Sequence, residues 1–518
     1  MRLLPLCAFL MMIYPSCWVD SHSNLLWTSA GVTALPDYKA QPTSVAPDFP
    51  YGVASGDPLP DGFIIWTMIA PQDAVRALCV QWQISETVDF QHPLRTGESM
   101  ATASHHFRVK EDVRQLAAGT TYFYRFSLDG QQWSAVGRTR TAPAADSKSA
   151  VRLGAVSCNA YEWGHFNGFG RLAERDDLGA ILHLGDYIYE YGTGEYGDTT
   201  IGRIHEPRHE LISLEDYHQR YAQYRSDPQL QAVHARHPFI CIWDDHEVAN
   251  NNYLGGAENH DDCTEGDYLL RLTAARSVYY DWMPVREDSS GQLYRSFQWG
   301  QVAKLHMLDE RLAGRTAPAS SFEIGELADS NRRMLGERQF NWLTEQLQSS
   351  DGHWQLIGNQ VLFADLELER VLPEYAVNID AWDGYRYEKE RLMDSLGNWP
   401  HQRFLFLTGD THCSWHFEIN NSESTQLLAH EIGVPSLSSA NFDELAGDAL
   451  TLWVAKKRLL HDNPHLQYTD LTRHGYLILS LTAEEARAEF HYSKTILKAD
   501  RREDTPVIIT IDYDNYAR

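Results

Sequence analysis

Hydrophobic and polar positions follow two different rhythms along this chain, and the change comes near residue 150. Before it, short stretches alternate residue by residue, as in Val80-Gln-Trp-Gln-Ile84 and, in a more aromatic version, Thr121-Tyr-Phe-Tyr-Arg125. That period of two predicts strands with one buried face, and Gly119, Asp129-Gly130 and Gly137 punctuate them as turns. After residue 150 the apolar runs become nearly continuous, and each stops on a polar residue. Val151-Arg-Leu-Gly-Ala-Val ends in Ser157-Cys158, Ala180-Ile-Leu-His-Leu in Gly185-Asp186, and Phe239-Ile-Cys-Ile-Trp in Asp244-Asp245-His246. Val302 to Leu308 ends in Asp309, Trp354-Gln-Leu-Ile in Gly358-Asn359-Gln360, and Arg403-Phe-Leu-Phe-Leu in Thr408-Gly409-Asp410. Between them, Asp267 to Trp282 and Glu337 to Gln348 carry apolar residues three and four apart, which predicts amphipathic helices. Near-continuous strands alternating with helices mean strands covered on both faces, an α/β layered arrangement.

The pattern divides the chain into an all-β domain over residues 40–143 and a larger core over 150–510, joined by an Ala- and Ser-rich linker from Ala142 to Ala150. The stretch Leu116 to Arg125, closing on Gly137-Arg-Thr-Arg-Thr-Ala-Pro143, is similar to the end of a fibronectin- or immunoglobulin-like sandwich. At the start, Arg2 and an apolar run ending at Ile13 read as a signal peptide over residues 1–22. The run is too short to span a bilayer, which needs about 20 residues. A lipid anchor at Cys17 is a weaker reading, because Tyr14-Pro15-Ser16 is a poor lead-in. The expectation is an exported protein, periplasmic or secreted, without a membrane span. Of seven cysteines, five follow the leader (Cys79, Cys158, Cys241, Cys263 and Cys413), an odd number with no CxxC pair, so neither a disulfide framework nor a zinc ribbon is expected. Hydrophobic residues at 43% and charged residues at 22% are those of a globular protein. The formal charge of −27 argues against nucleic-acid binding through basic patches. An anionic substrate would need strong, local positive charge.

Three blocks carry chemistry. Asp186-Tyr-Ile-Tyr189 places a carboxylate and a phenol on one side of a strand-end turn, although an Asp there is more commonly a helix cap or turn former. Trp243-Asp-Asp-His-Glu-Val-Ala-Asn250-Asn251 packs four acidic or imidazole groups after a buried strand, and adjacent carboxylates repel unless a cation or proton relieves them. Asp410-Thr-His412 would point both side chains the same way on an extended segment, suiting a shared metal. Cys158 alone is a small buried hydrophobe and Asn359 alone a turn residue. Together, at consecutive strand ends, these groups converge at the carboxyl edge where α/β sheets bind ligands. Oxygen donors with an imidazole and a thiolate suit hard cations and Fe³⁺ rather than a thiolate-rich zinc site.

This ordered set resembles the PhoD-type alkaline phosphatases, a branch of the metallophosphoesterases. The resemblance runs from about Phe49 to near the C-terminus, through Tyr51-Gly-Val-Ala-Ser-Gly-Asp-Pro, Trp66-Thr67, Ser157-Cys158, Gly-Asp-Tyr-Ile-Tyr-Glu and Trp-Asp-Asp-His-Glu-Val-Ala-Asn-Asn. It continues in Asp309-Glu-Arg311, Trp382-Asp-Gly-Tyr385 with Arg391, and Gly-Asp-Thr-His-Cys-Ser-Trp. The tyrosine three after the aspartate also resembles the purple acid phosphatase arrangement. The resemblance implies a metallophosphoesterase-like layered sheet core flanked by helices, with Fe³⁺ and Ca²⁺ as cofactors. It implies Cys158, Asp186 and Tyr189 facing the iron, Asp186 bridging to the second metal, and Asp245, Asn250, Asn359, Asp410 and His412 as further ligands. His246 would sit near the leaving group or phosphoryl oxygens, and Arg391 would bind a phosphoryl oxygen. Two departures stand out: the usual Ser-Cys-Gln reads Ser-Cys-Asn159, and the leader has only Arg2 where a twin-arginine signal is common.

The implied reaction is metal-assisted hydrolysis of phosphomonoesters or phosphodiesters by an activated water. A cysteine nucleophile is disfavoured, because the position six after Cys158 is Gly164 and not the arginine of a phosphate loop. The alternatives are the same metal site acting on a phospholipid or other diester, and a non-catalytic metal-dependent surface protein.

Overall fold

The computed structural model describes residues 48–512 apart from 72–74, 288–289, 350–351, 372–376, 422–425 and 447. The leader expected over 1–22 therefore lies outside the described residues. The N-terminal domain is made of strands: β1 (Val53–Leu59), β2 (Gly62–Met68), β3 (Ala77–Ser85), β4 (Arg95–Thr102), β5 (Arg108–Val113), β6 (Thr121–Ser127) and β7 (Gly137–Arg140). Strands β4-β3-β6-β7 form one antiparallel sheet. It packs on β1, β2 and β5 through Val53, Phe63, Ile65, Val80, Ile84, Val109, Tyr122 and Tyr124. The alternation seen in sequence is this packing: Tyr122, Tyr124 and Phe126 are buried, with Phe123 and Arg125 between them more exposed.

The three inner strands do more than close a sandwich. Strand β1 pairs in parallel with β10 (Pro238–Cys241), so the N-terminal sheet runs on into the larger core. With β8 (Val151–Val156), β9 (Ala180–His183), β18 (Gly475–Leu481), β19 (Glu485–Tyr492) and β20 (Val507–Asp512), they build nine strands in the order β20-β19-β18-β8-β9-β10-β1-β2-β5. A second sheet of seven strands has the order β11-β12-β13-β14-β16-β15-β17: β11 (Arg295–Trp299), β12 (Ala303–Met307), β13 (Trp354–Asn359), β14 (Arg403–Thr408), β15 (Ser414–Asn420), β16 (Leu427–Gly433) and β17 (Leu466–Asp470).

The two sheets face each other, and helices cover their outer faces. Side chains of β14 show this, since Leu405 and Leu407 join the core shared with β8, β9 and β10, whereas Phe404 and Phe406 join a second core under the helices Gly336–Gln348 and Arg386–Gly397. Alternation of two buried faces is why these strands read as unbroken apolar runs. The helix predicted from Asp267 begins at Tyr268 with the Asp267 side chain as its cap, and the second starts at Gly336. In both sheets the strands β8-β9-β10 and β12-β13-β14-β16 are parallel, so their carboxyl ends gather on one side. Where the sheets meet, Ser157 bridges to Ser436, and a Cβ at Gly409 would lie 3.0 Å from that of Ser157.

Candidate metal centre

The strand-end loops that converge there hold five non-glycine residues in left-handed backbone: Cys158 (φ +56°), Asp186 (+58°), Asn251 (+53°), Asp410 (+59°) and His412 (+61°). Each such residue costs of order 1–3 kcal/mol and persists only where its surroundings over-determine it. Gly185, at φ +110°, lets the Asp186 loop approach the next one; a Cβ there would lie 2.3 Å from that of Asp244.

Donor atoms of Cys158, Asp186 and His412 lie within 4.8 Å of one another, and so do those of Asp186, Asp245 and His246, and of Asp244, Asp245 and Asp410. Asp186 thus belongs to two groups and Asp245 links two. Tyr189 Oη donates to Asp186 Oδ2 at 3.0 Å and lies 3.3 Å from His412 Nε2. His412 Nδ1 contacts the Ala440 carbonyl at 2.7 Å, which turns Nε2 toward the cluster. Asp410 and His412 do not lie on the expected extended segment, and they fall in different candidate groups. Left-handed backbone at both residues makes the segment a tight turn.

Burial governs the electrostatics. It pushes Asp186 well above the carboxylate range, with Asp245, Asp244 and Glu247 adding to the effect against the attraction of His246. Burial likewise takes Asp244 up to about 8 and Asp410 to about 7, against the pull of Arg311. Asp245 goes the other way, to about 2: burial opposes ionisation, but Arg311 and His246 outweigh it. His246 is pushed well above the usual imidazole value because Asp245, Glu190 and Asp186 overcome its burial. Burial and the neighbouring Asp186 hold the Cys158 thiol and the Tyr189 phenol protonated when no cation is present.

Two buried carboxylate oxygens, Asp186 Oδ1 and Asp244 Oδ2, have no hydrogen-bond partner. Such atoms are costly unless something positive meets them. A thiol, a phenol, an imidazole and carboxylates crowded around these oxygens fit a cluster of hard or intermediate cations.

Three of the predicted residues have other partners. Asn250 donates its side-chain amide to Glu258 at 3.3 Å in an exposed contact and its backbone N–H to Glu190. Asn359 is fully buried, but its amide is engaged by Val361, Thr408 and Trp382. Arg391 is held away from the cluster, because its guanidinium forms a two-pronged pair with Glu337 and lies over Phe340 among the outer helices. The arginine that reaches the carboxylates is Arg311. It is fully buried and contacts Asp244 at 2.5 Å, Asp380 at 2.8 Å, Asp245 at 3.3 Å and Asp410 at 3.4 Å. Arg311 sits in the Asp-Glu-Arg block after β12, so the strand-end rule that flagged Asp186 would have flagged it. Glu190 also escaped the sequence reading, and its carboxylate lies 2.7 Å from His246 Nδ1. Asp380 follows no strand, and nothing in the sequence pointed to it.

Other buried carboxylates staple the loops. Glu247 accepts the N–H groups of Asp186, Tyr187 and Asp244, and Glu310 those of Gln360 and Val361.

Comparison with known proteins agrees with this architecture. Residues 153–490 match the family model for PhoD-like phosphatase, and residues 33–143 match that for the PhoD-like phosphatase N-terminal domain. Alkaline phosphatase D of Bacillus subtilis (strain 168) is 33% identical over 504 residues, covering 91% of this chain and 83% of that protein. The solved structure of PhoD superposes with a TM-score of 0.80 at 30% identity, covering 92% of each chain. A purple acid phosphatase from yellow lupin (Lupinus luteus) seeds shares the fold, with a TM-score of 0.58 at 12% identity over 90% of this chain and 75% of that one. Signature and structure agree from the N-terminal strands to the core that bears the cluster, and the chain belongs to the PhoD-like phosphatase family.

Proposed function

We propose that this PhoD-like phosphatase is a metal-dependent hydrolase of phosphomonoesters and phosphodiesters that works outside the cytoplasm. The observation that carries the metal dependence is the pair of unpartnered carboxylate oxygens among a buried thiol, phenol and imidazole. Cys158, Asp186, Tyr189 and His412 would hold one ion, for which Fe³⁺ is the proposed occupant given the thiolate and phenolate donors. Asp244, Asp245 and Asp410, with Asp186 shared, would hold a hard cation such as Ca²⁺. Bound there, the cations would lower the pKa of a water toward neutrality and offset phosphoryl charge.

The protein's own groups have separate tasks. His246 is oriented by Glu190 at Nδ1 and stacked on Tyr189 at 4.3 Å, which leaves Nε2 to give a proton to the leaving oxygen. Arg311 keeps the adjacent buried carboxylates paired. Export rests on the sequence of the leader. Among the described residues no helix is long and apolar enough to cross a membrane.

The test is turnover of p-nitrophenyl phosphate and bis-p-nitrophenyl phosphate before and after chelation, with metal analysis of the same samples. Turnover that disappears with the metal and returns on its addition is expected. Metal-replete protein that cleaves neither ester overturns the catalytic reading, and full turnover by metal-free protein overturns the metal dependence.

A further inference from the structure

Asn159 follows Cys158 and stands where a glutamine is usual in the motif that the chain resembles, so its side chain invites a closer look. It is fully buried, and both side-chain polar atoms have partners. The backbone N–H of Asn159 donates to the Asp186 carbonyl at 3.1 Å, beside the bond from the Cys158 N–H to Gly185 at 3.2 Å. Its side-chain Nδ2 donates to the Tyr187 carbonyl at 2.9 Å, and its Oδ1 lies 2.7 Å from His183 Nε2. His183 Nδ1 accepts from the Gly185 N–H at 3.4 Å, which puts the ring proton on Nε2 and makes it the donor to Asn159. Burial keeps that ring neutral by pushing its pKa down to about 3, so the tautomer agrees with the geometry.

One amide therefore grips the Asp186 loop on both sides, at His183 before it and Tyr187 after it. It does so from the residue next to Cys158, and both Cys158 and Asp186 hold left-handed backbone. The ladder between β8 and β9 ends at Val156 and His183; beyond it the two turns are held by the backbone bonds from Leu184 to Val156, Cys158 to Gly185 and Asn159 to Asp186, and by the Asn159 side chain.

We propose that Asn159, anchored by His183, is a positioning residue that fixes the spacing between the Cys158 sulfur and the Asp186 carboxylate, and so presents both to one metal ion. The inference rests on the metal-dependent reading above. It does not make Asn159 a ligand; the side chain acts through the two loops it joins. Outer partners of this kind typically contribute 10–100-fold to metal affinity.

Two variants test it. Asn159→Ala removes both side-chain bonds, and His183→Phe keeps a ring between Phe169 and Tyr187 but removes the donor to Oδ1. Full-length proteins are compared by circular dichroism in the metal-free state, by iron titration, and by the visible absorption of the iron-loaded form. The expected result is a folded metal-free protein in both cases, with iron affinity lowered about 10–100-fold. A displaced absorption band is expected as well, with kcat/KM recovering when iron is in excess. Wild-type affinity and an unmoved band in folded variants overturn the assignment. Loss of the fold in both variants also overturns it, because the pair would then be structural only. Wild-type protein that binds no metal and cleaves no ester refutes the broader functional reading instead, so the two failures are distinguishable.

Discussion

At the scale of single residues, the centre is a set of side chains that cannot all keep their charge without help. Tyr189 is the most diagnostic, since burial and Asp186 raise its phenol, yet its oxygen lies 3.0 Å from Asp186 and 3.3 Å from His412. If iron occupies that position, the tyrosinate gives a visible charge-transfer band. Tyr189→Phe is expected to abolish the band while leaving the metal-free protein folded, as absorption and circular dichroism would report. The task proposed for His246 is different: its Nδ1 is tied to Glu190, and its ring, grouped with Asp186 and Asp245, is absent from the group containing Cys158. His246→Ala is expected to lower kcat roughly 10²–10⁴-fold, the span typical of a lost general acid, with metal content near that of wild type. Unchanged kcat in metal-matched protein removes His246 from proton transfer.

At the scale of elements, positioning comes from the ends of strands and from the stitches between their loops. Buried Glu247, Glu310 and Asn159 each bond to two or more backbone or side-chain groups of neighbouring loops, which compensates for the left-handed backbone at the donors. The junction between the N-terminal strands and the core has a similar stitch. Asp57, at the bulge in β1 and fully buried, accepts from Arg295 of β11 at 2.6 and 3.0 Å and from the Arg286 N–H at 2.7 Å. Arg295 also donates to the Cys241 carbonyl at the end of β10, so one guanidinium joins three strands. Arg295→Ala leaves a buried carboxylate short of its counter-charge and is expected to cost about 3–5 kcal/mol, read from denaturant midpoints. A change below about 1 kcal/mol would mean that Arg286 suffices to hold Asp57.

At the scale of the whole molecule, two facing sheets bring loops from distant parts of the chain to one rim, and the charge gathered there shapes stability. In metal-free protein, burial pushes Glu247 and Glu310 up to about 8 from an ordinary value of 4.5. Between those values the folded chain keeps protons that the unfolded chain has released, so stability falls as pH rises across that window. Above the ordinary histidine value of 6.5, where the buried neutral histidines no longer oppose the trend, metal-free protein is therefore expected to melt at lower temperature at pH 8 than at pH 7, and metal-loaded protein to melt higher at pH 8 by mass action. A melting temperature that rises with pH in the chelated protein contradicts this sign. By itself the sequence determined the strand-rich start, the α/β layers, the two helices near residues 267 and 337, and most of the residues that meet in the cluster. Period and strand-end polarity are local features that survive in one dimension. Cys79, Cys158, Cys241, Cys263 and Cys413 are free thiols in the structure. Only the tertiary structure decided which groups meet. It placed Arg311 among the carboxylates and took Arg391 to Glu337, because helix faces and loop paths depend on packing partners far away in the chain. It also made the Asp410–His412 segment a left-handed turn and gave Asn159 its two loops, since backbone handedness at a turn is set by contacts that no spacing records.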